Sequence, residues 1–316
     1  MRIAIVGSGG VGGYFGARLA MAGHDVHFIA RGAHLQALQR QGLQIHSILG
    51  DCHLKALSAT HDPTQIGVVD VVMLTCKLWD LEQAAAQCQS MLGERTVVIP
   101  FQNGVEAQDM VCRHLPAHSV AAGVAFIAAA IDAPGVIRHT GDFAKLRFGW
   151  SDQPAEPRLQ AFESACRDAG VDGQQSSDIQ RALWEKYVFL VTLSAWTAVT
   201  RSSIGTIRHD PAIRPCLIAT LTEVVELARA RGVALSEEVV AKQLAVIDSM
   251  PSEMKSSMLH DLERGHRLEA PWLSGGVTRL GVESAISTPV NTTLYAALKP
   301  FVMGWMVDQP LAQCSR

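Results

Sequence analysis

Short apolar runs alternate with amphipathic segments through the first half of the chain. We predict strands at residues 2–6, 25–30, 68–75 and 96–100, of which the last two are continuously apolar, as expected for strands buried on both faces. Residues 12–22, 34–41 and 80–91 have helical spacing and lie between these runs. Such alternation is typical of a doubly wound, mainly parallel sheet, so the chain is predicted to begin with an α/β Rossmann domain.

The pattern changes in the middle of the chain. An apolar run at 120–130 and two strands at 135–140 and 145–150, expected near a sheet edge, precede a helix at 158–169. Residues 170–177 are rich in turn formers and indicate a domain boundary. Beyond them helical spacing dominates, at 178–200, 212–231, 237–248, 268–280 and 292–307. We therefore predict a Rossmann domain over residues 1–172 and an all-α domain over residues 173–316.

A glycine-rich segment joins the first predicted strand to the first helix. It fits the dinucleotide fingerprint G-x-G-x-x-G with Gly7, Ser8, Gly9, Gly10, Val11 and Gly12. In such a loop the first glycine allows a tight turn, the second lets the backbone approach a pyrophosphate, and the third packs the helix on the strand. The helix N-terminus then attracts the phosphates. A glycine-rich turn without a ligand is the alternative, but the position between strand and helix favours a cofactor site.

The residue after the second predicted strand distinguishes between two cofactors. Domains that bind NAD usually carry an acidic residue there, which accepts hydrogen bonds from the adenosine ribose. Here that residue is Arg31, followed by Gly32. A guanidinium binds a 2′-phosphate in a bidentate manner, which predicts NADP (NADPH) as the cofactor. A solvated loop arginine is the alternative interpretation.

Composition and charge exclude several classes of protein. Hydrophobic residues make up 48% of the chain and charged residues 18%, which is ordinary for a globular protein. The net charge is −3 without a long basic run, which argues against a nucleic-acid partner. The apolar stretch at 187–200 is too short to span a membrane, and the N-terminus does not resemble a signal peptide.

The cysteines and histidines do not predict a metal site. The seven cysteines are scattered, odd in number and form no C-x-x-C pair, so neither a disulfide framework nor a thiolate site is indicated and a reducing cytoplasm is the expected location. The motifs H-E-x-x-H and G-x-S-x-G are absent from the sequence. Cys76 is expected to be a small buried hydrophobe, although exposure beside Lys77 would make it reactive.

Several segments, in order and with consistent spacing, resemble the ketopantoate reductase (2-dehydropantoate 2-reductase) family through nearly the whole chain. After the N-terminal glycine-rich segment they are TCKLWD with Lys77, FQNGVE with Asn103, GVAFIAAAIDAPGVIRHTG with Ala129, LWEKYVF with Lys186, SSMLHDLERGHRLEA with Ser257 and Glu269, and STPVNTTLYAALKP. The resemblance implies NADPH-dependent reduction of a 2-keto acid to a 2-hydroxy acid, namely 2-dehydropantoate to pantoate in pantothenate biosynthesis, or a related substrate.

The resemblance also implies a role for each matching residue. Lys77, Asn103 and Ala129 bind the cofactor, with Asn103 also near the substrate. Lys186 is the catalytic acid, since an ammonium stabilises and protonates the oxygen that becomes negative on hydride transfer. Glu269 places Lys186 and the nicotinamide ribose, and Ser257 bonds the substrate carboxylate. Without the family, these charged residues would be interpreted as solvated surface groups.

The chain departs from the family pattern in its substrate pocket. Family members commonly carry asparagines four and eight residues after the catalytic lysine, where this chain has Leu190 and Ser194, and two further asparagines correspond to Ile204 and Met254. Leucine cannot bond a hydroxylated keto acid, so a less polar substrate is expected. Two alternatives remain, a dehydrogenase that oxidises a hydroxy acid and a dinucleotide-binding sensor without catalysis. The apolar helices of the second domain also allow a homodimer interface.

Overall fold

A computed structural model describes residues 1–150 and 156–304 of the chain, which divides into two compact units, Met1–Leu183 and Trp184–Arg316. The division falls inside a helix, Ile179–Thr200. The boundary that the sequence predicts, between residues 172 and 173, lies instead within a short strand, Asp172–Gln175.

The first unit contains a five-stranded parallel sheet. Its strands are β1 (Arg2–Val6), β2 (Asp25–Ile29), β5 (Ser58–Thr60), β6 (Val71–Leu74) and β7 (Val97–Pro100), in the order β5-β2-β1-β6-β7. Every residue of β6 and β7 is buried, as their continuous apolar character predicts. The order reverses between β1 and β6, which creates the crevice where open α/β sheets bind ligands. The predicted Rossmann topology is therefore present.

A second sheet completes this unit. It contains β3 (Leu43–Ser47), β4 (Cys52–Leu54), β8 (Ala122–Ala133), β9 (Val136–Gly149) and β10 (Asp172–Gln175), in the order β10-β9-β3-β4 with β8 paired to β9. The long hairpin β8–β9 is antiparallel, while β3 and β10 run parallel to β9.

Two expectations were wrong in this part of the chain, and three further strands were not predicted. The two strands expected near an edge, at 135–140 and 145–150, form one strand, β9, which has partners on both sides. The turn-rich segment at 170–177 contains β10, because Gly173 has no side chain and can lie against Cys166. The strands β3, β4 and β5 were not predicted, since three to five mixed residues carry almost no periodic signal.

Helices pack against both sheets of the first unit. They are α1 (Gly10–Met21), α2 (Gly32–Gln41), α3 (Leu81–Gln87), α4 (Ala107–Cys112) and α5 (Pro157–Asp168). The predicted crossover helix at 80–91 is α3 followed by a 3-10 turn at Cys88–Met91. Fully buried side chains of α1 and β2, among them Phe15 and Phe28, form the core with Ile5 of β1. Burying a side chain of this size contributes about 1.5–3 kcal/mol.

The described part of the second unit contains helices without strands, as the sequence predicts. They are α6 (Ile179–Thr200), α7 (Ile204–Ile207), α8 (Arg214–Ala230), α9 (Val239–Ser249), α10 (Ser257–Glu263), α11 (Ser274–Glu283) and α12 (Pro289–Leu298), with a 3-10 turn at Lys299–Phe301. The final predicted helix, 292–307, begins earlier than expected, and its residues from 305 lie outside the described residues.

Some polar side chains of the second unit are hydrogen-bonded to neighbouring helices. The Glu223 carboxylate accepts from the backbone N–H groups of Val290 and Asn291 at 2.8 and 2.9 Å. These groups lie in the first turn of α12, where they have no carbonyl one turn earlier and where a negative charge is favoured. The Trp196 indole N–H donates to the Thr220 hydroxyl at 2.9 Å and links α6 to α8. Within the described residues, no helix is long and apolar enough to cross a membrane.

Candidate functional site

The glycine-rich loop lies at the point where the strand order of the parallel sheet reverses. Gly7 follows β1, and Thr75 follows β6 on the neighbouring strand. The Thr75 N–H donates to the Val6 carbonyl and its hydroxyl donates to the Gly7 carbonyl, both at 2.8 Å. Gly7 has φ +95°, and a side chain there would place Cβ 2.5 Å from the backbone nitrogen of Cys76. Only glycine satisfies both the conformation and the close approach.

The loop is also held to the end of β2. The Ile29 carbonyl accepts from the N–H groups of Gly7 and Ser8 and, at 3.0 Å, from the Ser8 hydroxyl. The Ser8 side chain is therefore buried and fixes the loop. The N–H groups available to a ligand are those of Gly10, Val11 and Gly12 at the start of α1, since they have no carbonyl one turn earlier in the helix.

The second glycine of the fingerprint faces open space. A Cβ on Gly9 would find a single neighbour within 4 Å, the Cδ1 atom of Ile131 at 3.9 Å. Gly9 caps α1 without a side-chain hydrogen bond, and the first turn of α1 has no acidic residue. A pyrophosphate therefore meets bare backbone and the positive end of the helix dipole, and the loop fits a dinucleotide.

The hairpin β8–β9 explains two glycines that the fingerprint does not require. A Cβ on Gly10 would overlap the Ala129 carbonyl, and a Cβ on Gly13 would overlap the Ile137 side chain. Ala129 thus contacts the loop through its backbone, and the hairpin packs directly on the first turn of α1. Sequence analysis did not interpret Gly13. The signal for its contact with Ile137 was that glycines occur in adjacent pairs, at 9–10 and again at 12–13.

Arg31 lies at the start of α2, at the end of the crevice formed by β2. It is the N-cap residue of that helix, and its side chain is 60% exposed and available for binding. The Asp80 carboxylate, on the segment that follows β6, lies 4.0 Å from the Arg31 guanidinium. A pair at this distance and exposure is weak, so a phosphate can replace it as the partner of Arg31.

Lys77 and Asn103 follow β6 and β7, the next two strands of the sheet. Lys77 is exposed, with its ammonium 5.6 Å from the centre of the Trp79 ring, and Asn103 is partly buried. The Gln102 amide donates to the Cys76 carbonyl at 3.0 Å and ties the two segments together. Cys76 is partly buried, and burial raises the pKa of its thiol to about 12, which agrees with the expected inert role.

In the second unit, Lys186 on α6 is close to Glu269, in the turn before α11. Lys186 is partly buried, and Glu269 is buried with 8% of its surface exposed. Burial lowers the pKa of the Lys186 ammonium to about 8, while the negative charge of Glu269 opposes this shift. An amine with this pKa is mostly protonated at neutral pH and gives up its proton readily, which suits a general acid.

Tyr187 joins the segments that carry these two residues. Its hydroxyl lies 2.9 Å from the Trp272 carbonyl and 2.8 Å from the Leu273 carbonyl, in the turn that begins with Glu269. The Trp272 and Leu273 N–H groups in turn donate to the Glu269 carbonyl. Sequence analysis missed this role, because a tyrosine in an apolar helix has the same pattern as a core residue.

The positions where the family carries asparagines lie on or beside α6. Leu190 is partly buried one turn after Lys186. Ser194 is 1% exposed, and its hydroxyl has no hydrogen-bond partner among the described residues. The Ile204 N–H donates to the Met254 carbonyl at 2.9 Å, so these two apolar replacements are adjacent.

Ser257 is the exposed first residue of α10. Its neighbour Ser256 is buried, caps this helix and lies 2.7 Å from the Thr197 hydroxyl of α6. The two serines therefore differ in role, and only the hydroxyl of Ser257 is accessible. In the ranges 1–150 and 156–304, no group of three or more His, Cys, Asp or Glu side chains is arranged to hold a metal ion.

Two family models cover most of the chain. The model described as ketopantoate reductase PanE/ApbA matches residues 3–153, and its C-terminal counterpart matches residues 178–302. The chain belongs to the ketopantoate reductase family. The sequence resemblance is thereby confirmed, and so is the predicted combination of a Rossmann domain with a helical domain.

Individual relatives are similar to this chain over nearly their whole length. The uncharacterized oxidoreductase YkpB of Bacillus subtilis is 30% identical, covering 95% of this chain and 99% of the relative. The 2-dehydropantoate 2-reductase of Archaeoglobus fulgidus is 29% identical, covering 93% and 95%. A crystal structure of a PanE/ApbA family ketopantoate reductase from Ralstonia eutropha superposes with a TM-score of 0.87 at 32% identity, covering 95% and 98%.

Proposed function

We propose that this member of the ketopantoate reductase family reduces the ketone of a 2-keto acid to a 2-hydroxy acid with NADPH. The observation that carries the proposal is the pair Lys186 and Glu269, a partly buried ammonium with a pKa of about 8 beside a carboxylate. A pure sensor has no need of such an acid. The relatives named 2-dehydropantoate 2-reductase support the same reaction class.

The residues of this chain account for proton transfer and charge stabilisation. The chemistry that a nicotinamide dinucleotide, held by the glycine-rich loop and Arg31, would supply here is a hydride for the carbonyl carbon of the substrate. As the carbon–oxygen π bond breaks, its electron pair moves to the oxygen, which takes a proton from the Lys186 ammonium. Lys186 is left as a neutral amine and regains a proton from water. Glu269 favours the charged form of Lys186 before the reaction, so the acid is ready at neutral pH.

Arg31 supports NADPH as the preferred cofactor. Its guanidinium is exposed at the start of α2, where the adenosine end of a dinucleotide lies in this fold. The first turn of α2 has no acidic residue that would repel a 2′-phosphate or bond the ribose hydroxyls. The nearby carboxylate of Asp80 is separated from Arg31 by 4.0 Å and is itself partly exposed.

The residues at the family's asparagine positions support a less polar substrate than 2-dehydropantoate. Leu190, Ile204 and Met254 replace amides with apolar groups, and Ile204 and Met254 lie side by side. An apolar side chain in place of an amide leaves a substrate hydroxyl without a partner, which costs about 1–3 kcal/mol. We therefore propose a 2-keto acid with an apolar side chain as the preferred substrate.

A matched pair of substrates tests this proposal. 2-Dehydropantoate and 3,3-dimethyl-2-oxobutanoate differ by one hydroxyl group, so their ratio of kcat/KM with NADPH isolates the cost of that group. We expect the compound without the hydroxyl to be preferred by about tenfold or more. Preference for 2-dehydropantoate would contradict the apolar substrate and restrict the function to the reaction named for the relatives. If neither compound is reduced, and longer or aromatic 2-keto acids are not reduced either, the proposed activity is contradicted.

A variant of the acid separates an enzyme from a dinucleotide-binding sensor. Lys186→Ala should lower kcat by about 10²–10⁴-fold, because general acid catalysis contributes a factor of this size. Its dissociation constant for NADP⁺ should stay close to that of the unmodified protein. Lys242→Ala, which breaks an exposed pair with Glu238 on the second unit, is a suitable control for loss of a lysine.

A further inference from the structure

The imidazole of His34 connects three segments around the glycine-rich loop. His34 lies in the first turn of α2, and its Nε2 atom is 2.8 Å from the Ser8 carbonyl. Its Nδ1 atom is 3.1 Å from the backbone nitrogen of Gly135, at the tip of the β8–β9 hairpin. A carbonyl only accepts and a peptide N–H only donates, so Nε2 carries the proton and Nδ1 accepts. Both bonds are made at once only by the neutral ring.

The surroundings of His34 keep this ring neutral. Burial lowers the pKa of His34 below its ordinary value, and the bond to the Ser8 carbonyl opposes this shift. The loop from Gly7 to Gly12 has no ionisable side chain. Two ion pairs lie on the neighbouring segments, Arg31 with Asp80 and Arg138 with Asp132 on the hairpin, while Arg40 at the far end of α2 and Asp142 and Lys145 in the middle of β9 lie farther along these elements.

The bond to Ser8 fixes a peptide group that the dinucleotide site depends on. The Ser8 carbonyl belongs to the same rigid peptide plane as the Gly9 N–H, which donates to the Gly7 carbonyl at 2.8 Å. Gly9 is the residue that faces open space, and the next three residues carry the N–H groups at the start of α1. Rotation of this plane would change the direction of the whole loop.

We infer that His34 is a positioning residue for the dinucleotide, which holds the Ser8–Gly9 peptide to α2 and to the β8–β9 hairpin so that the loop is shaped before the cofactor arrives. Gly10 and Gly13 let the hairpin approach the loop, and His34 joins the two with hydrogen bonds. This inference rests on the dinucleotide binding proposed above and does not depend on the substrate.

Two conservative variants test the two hydrogen bonds of the imidazole separately. Glutamine extends its amide to the position of Nε2 and can still donate to the Ser8 carbonyl, whereas asparagine places its oxygen near Nδ1 and can still accept from Gly135. If the Ser8 peptide matters for binding, His34→Gln should retain more affinity than His34→Asn. His34→Ala should bind NADP⁺ about five- to tenfold more weakly than the unmodified protein, the size expected for one lost hydrogen bond.

The pH dependence of binding provides a readout that a general loss of packing would not produce. When Nδ1 is protonated it becomes a donor and faces the Gly135 N–H, which is also a donor. The charged ring therefore loses its hydrogen bond to Gly135. The dissociation constant of the unmodified protein should therefore rise more steeply than that of His34→Gln as the pH falls from 7.5 to 5.0. Taking the ratio of the two proteins cancels the titration of the 2′-phosphate itself.

The experiment is isothermal titration of each full-length protein with NADP⁺, which is stable in acid, at both pH values. His53→Ala is the control, since His53 also bonds a backbone carbonyl, that of Gln41 at the far end of α2 from His34. A His34→Ala protein that binds NADP⁺ within twofold of the unmodified protein would overturn the inference. Equal pH slopes for the unmodified protein and His34→Gln would also overturn it, even if the alanine variant failed to fold. Failure of the unmodified protein to bind NADP⁺ would instead contradict the proposed function.

Discussion

The hydroxyl of Tyr187 lies 2.8 Å from the carbonyl of Leu273 and connects the helix of the proposed acid with the turn of its charged neighbour. Tyr187 directly follows Lys186, and Leu273 is four residues after Glu269. The contact therefore limits how far Lys186 and Glu269 can separate. A buried hydroxyl that bonds the carbonyls of two adjacent residues is more specific than apolar packing, because a hydrogen bond fixes both distance and direction.

Tyr187→Phe should reduce catalysis while leaving cofactor binding unchanged. The change leaves the carbonyls of Trp272 and Leu273 without their donor, at a cost of about 1–3 kcal/mol, and loosens the turn that carries Glu269. We expect a lower kcat and a shifted pH profile, with the dissociation constant for NADP⁺ preserved. Tyr295→Phe on α12 is the control for loss of a tyrosine hydroxyl. An unchanged kcat and pH profile in Tyr187→Phe would contradict a positioning role for Tyr187.

The rate of reduction should fall as the pH rises through about 8. Burial lowers the pKa of Lys186 to about 8, and only the charged form below that value can donate a proton. Glu269 opposes the shift, so Glu269→Gln should lower the pKa of Lys186 further and move the decline in kcat/KM to lower pH. A profile of kcat/KM between pH 5.5 and 10 for both proteins measures this. A decline that moves to higher pH in Glu269→Gln would contradict the proposed pairing.

Arg31→Ala should weaken binding of NADPH much more than binding of NADH. The two cofactors differ in the 2′-phosphate, and a hydrogen bond to a charged group contributes about 1.5–3 kcal/mol, equivalent to about ten- to a hundredfold in affinity. Titration of the variant with both cofactors gives the ratio directly. Arg40→Ala, an exposed arginine in the last turn of α2, is the matched control. Equal losses of affinity for NADPH and NADH would show that Arg31 does not bind the 2′-phosphate.

Gly9→Ala and Gly10→Ala should differ in whether they mainly weaken NADP⁺ binding or mainly destabilise the fold. A Cβ at Gly10 overlaps the Ala129 carbonyl, so Gly10→Ala should destabilise the protein by about 1–3 kcal/mol. A Cβ at Gly9 enters the open space in front of the loop, so Gly9→Ala should lose less stability and weaken NADP⁺ binding more. Thermal unfolding and NADP⁺ titration of the two variants check the contrast. If Gly9→Ala binds normally, the open face of Gly9 is not where the pyrophosphate lies.

Much of the first unit follows from local pattern. The strand Arg2–Val6, its glycine-rich loop and the following helix were predicted within one or two residues, because strand, turn and helix each have a strong periodic or conformational signal. The second sheet was missed for the most part. Strands such as Cys52–Leu54 are too short to show alternation, and their stability comes from partners far away in the chain, such as β3.

The residues of the candidate site also fall into those that the sequence identified and those that only the structure revealed. Gly7, Gly9, Arg31 and the neighbourhood of Lys186 were identified from sequence, the last only through resemblance to a family. His34, Gly13 and Tyr187 were not identified, since a single histidine, glycine or tyrosine has no pattern until its partner is known. His34 and Gly135 are 101 residues apart, and Tyr187 and Leu273 are 86 apart.

The sequence by itself determined the parallel sheet, the glycine-rich loop, the arginine at the end of the second strand and the change to helices in the second part of the chain. These features depend on backbone conformation and on hydrophobic periodicity, which act between near neighbours. Only the tertiary structure decided that the β8–β9 hairpin packs on the loop through Gly10 and that the negative charge of Glu269 opposes the lowering of the Lys186 pKa by burial. Both depend on burial and on contacts between distant segments, and these exist only after the chain has folded.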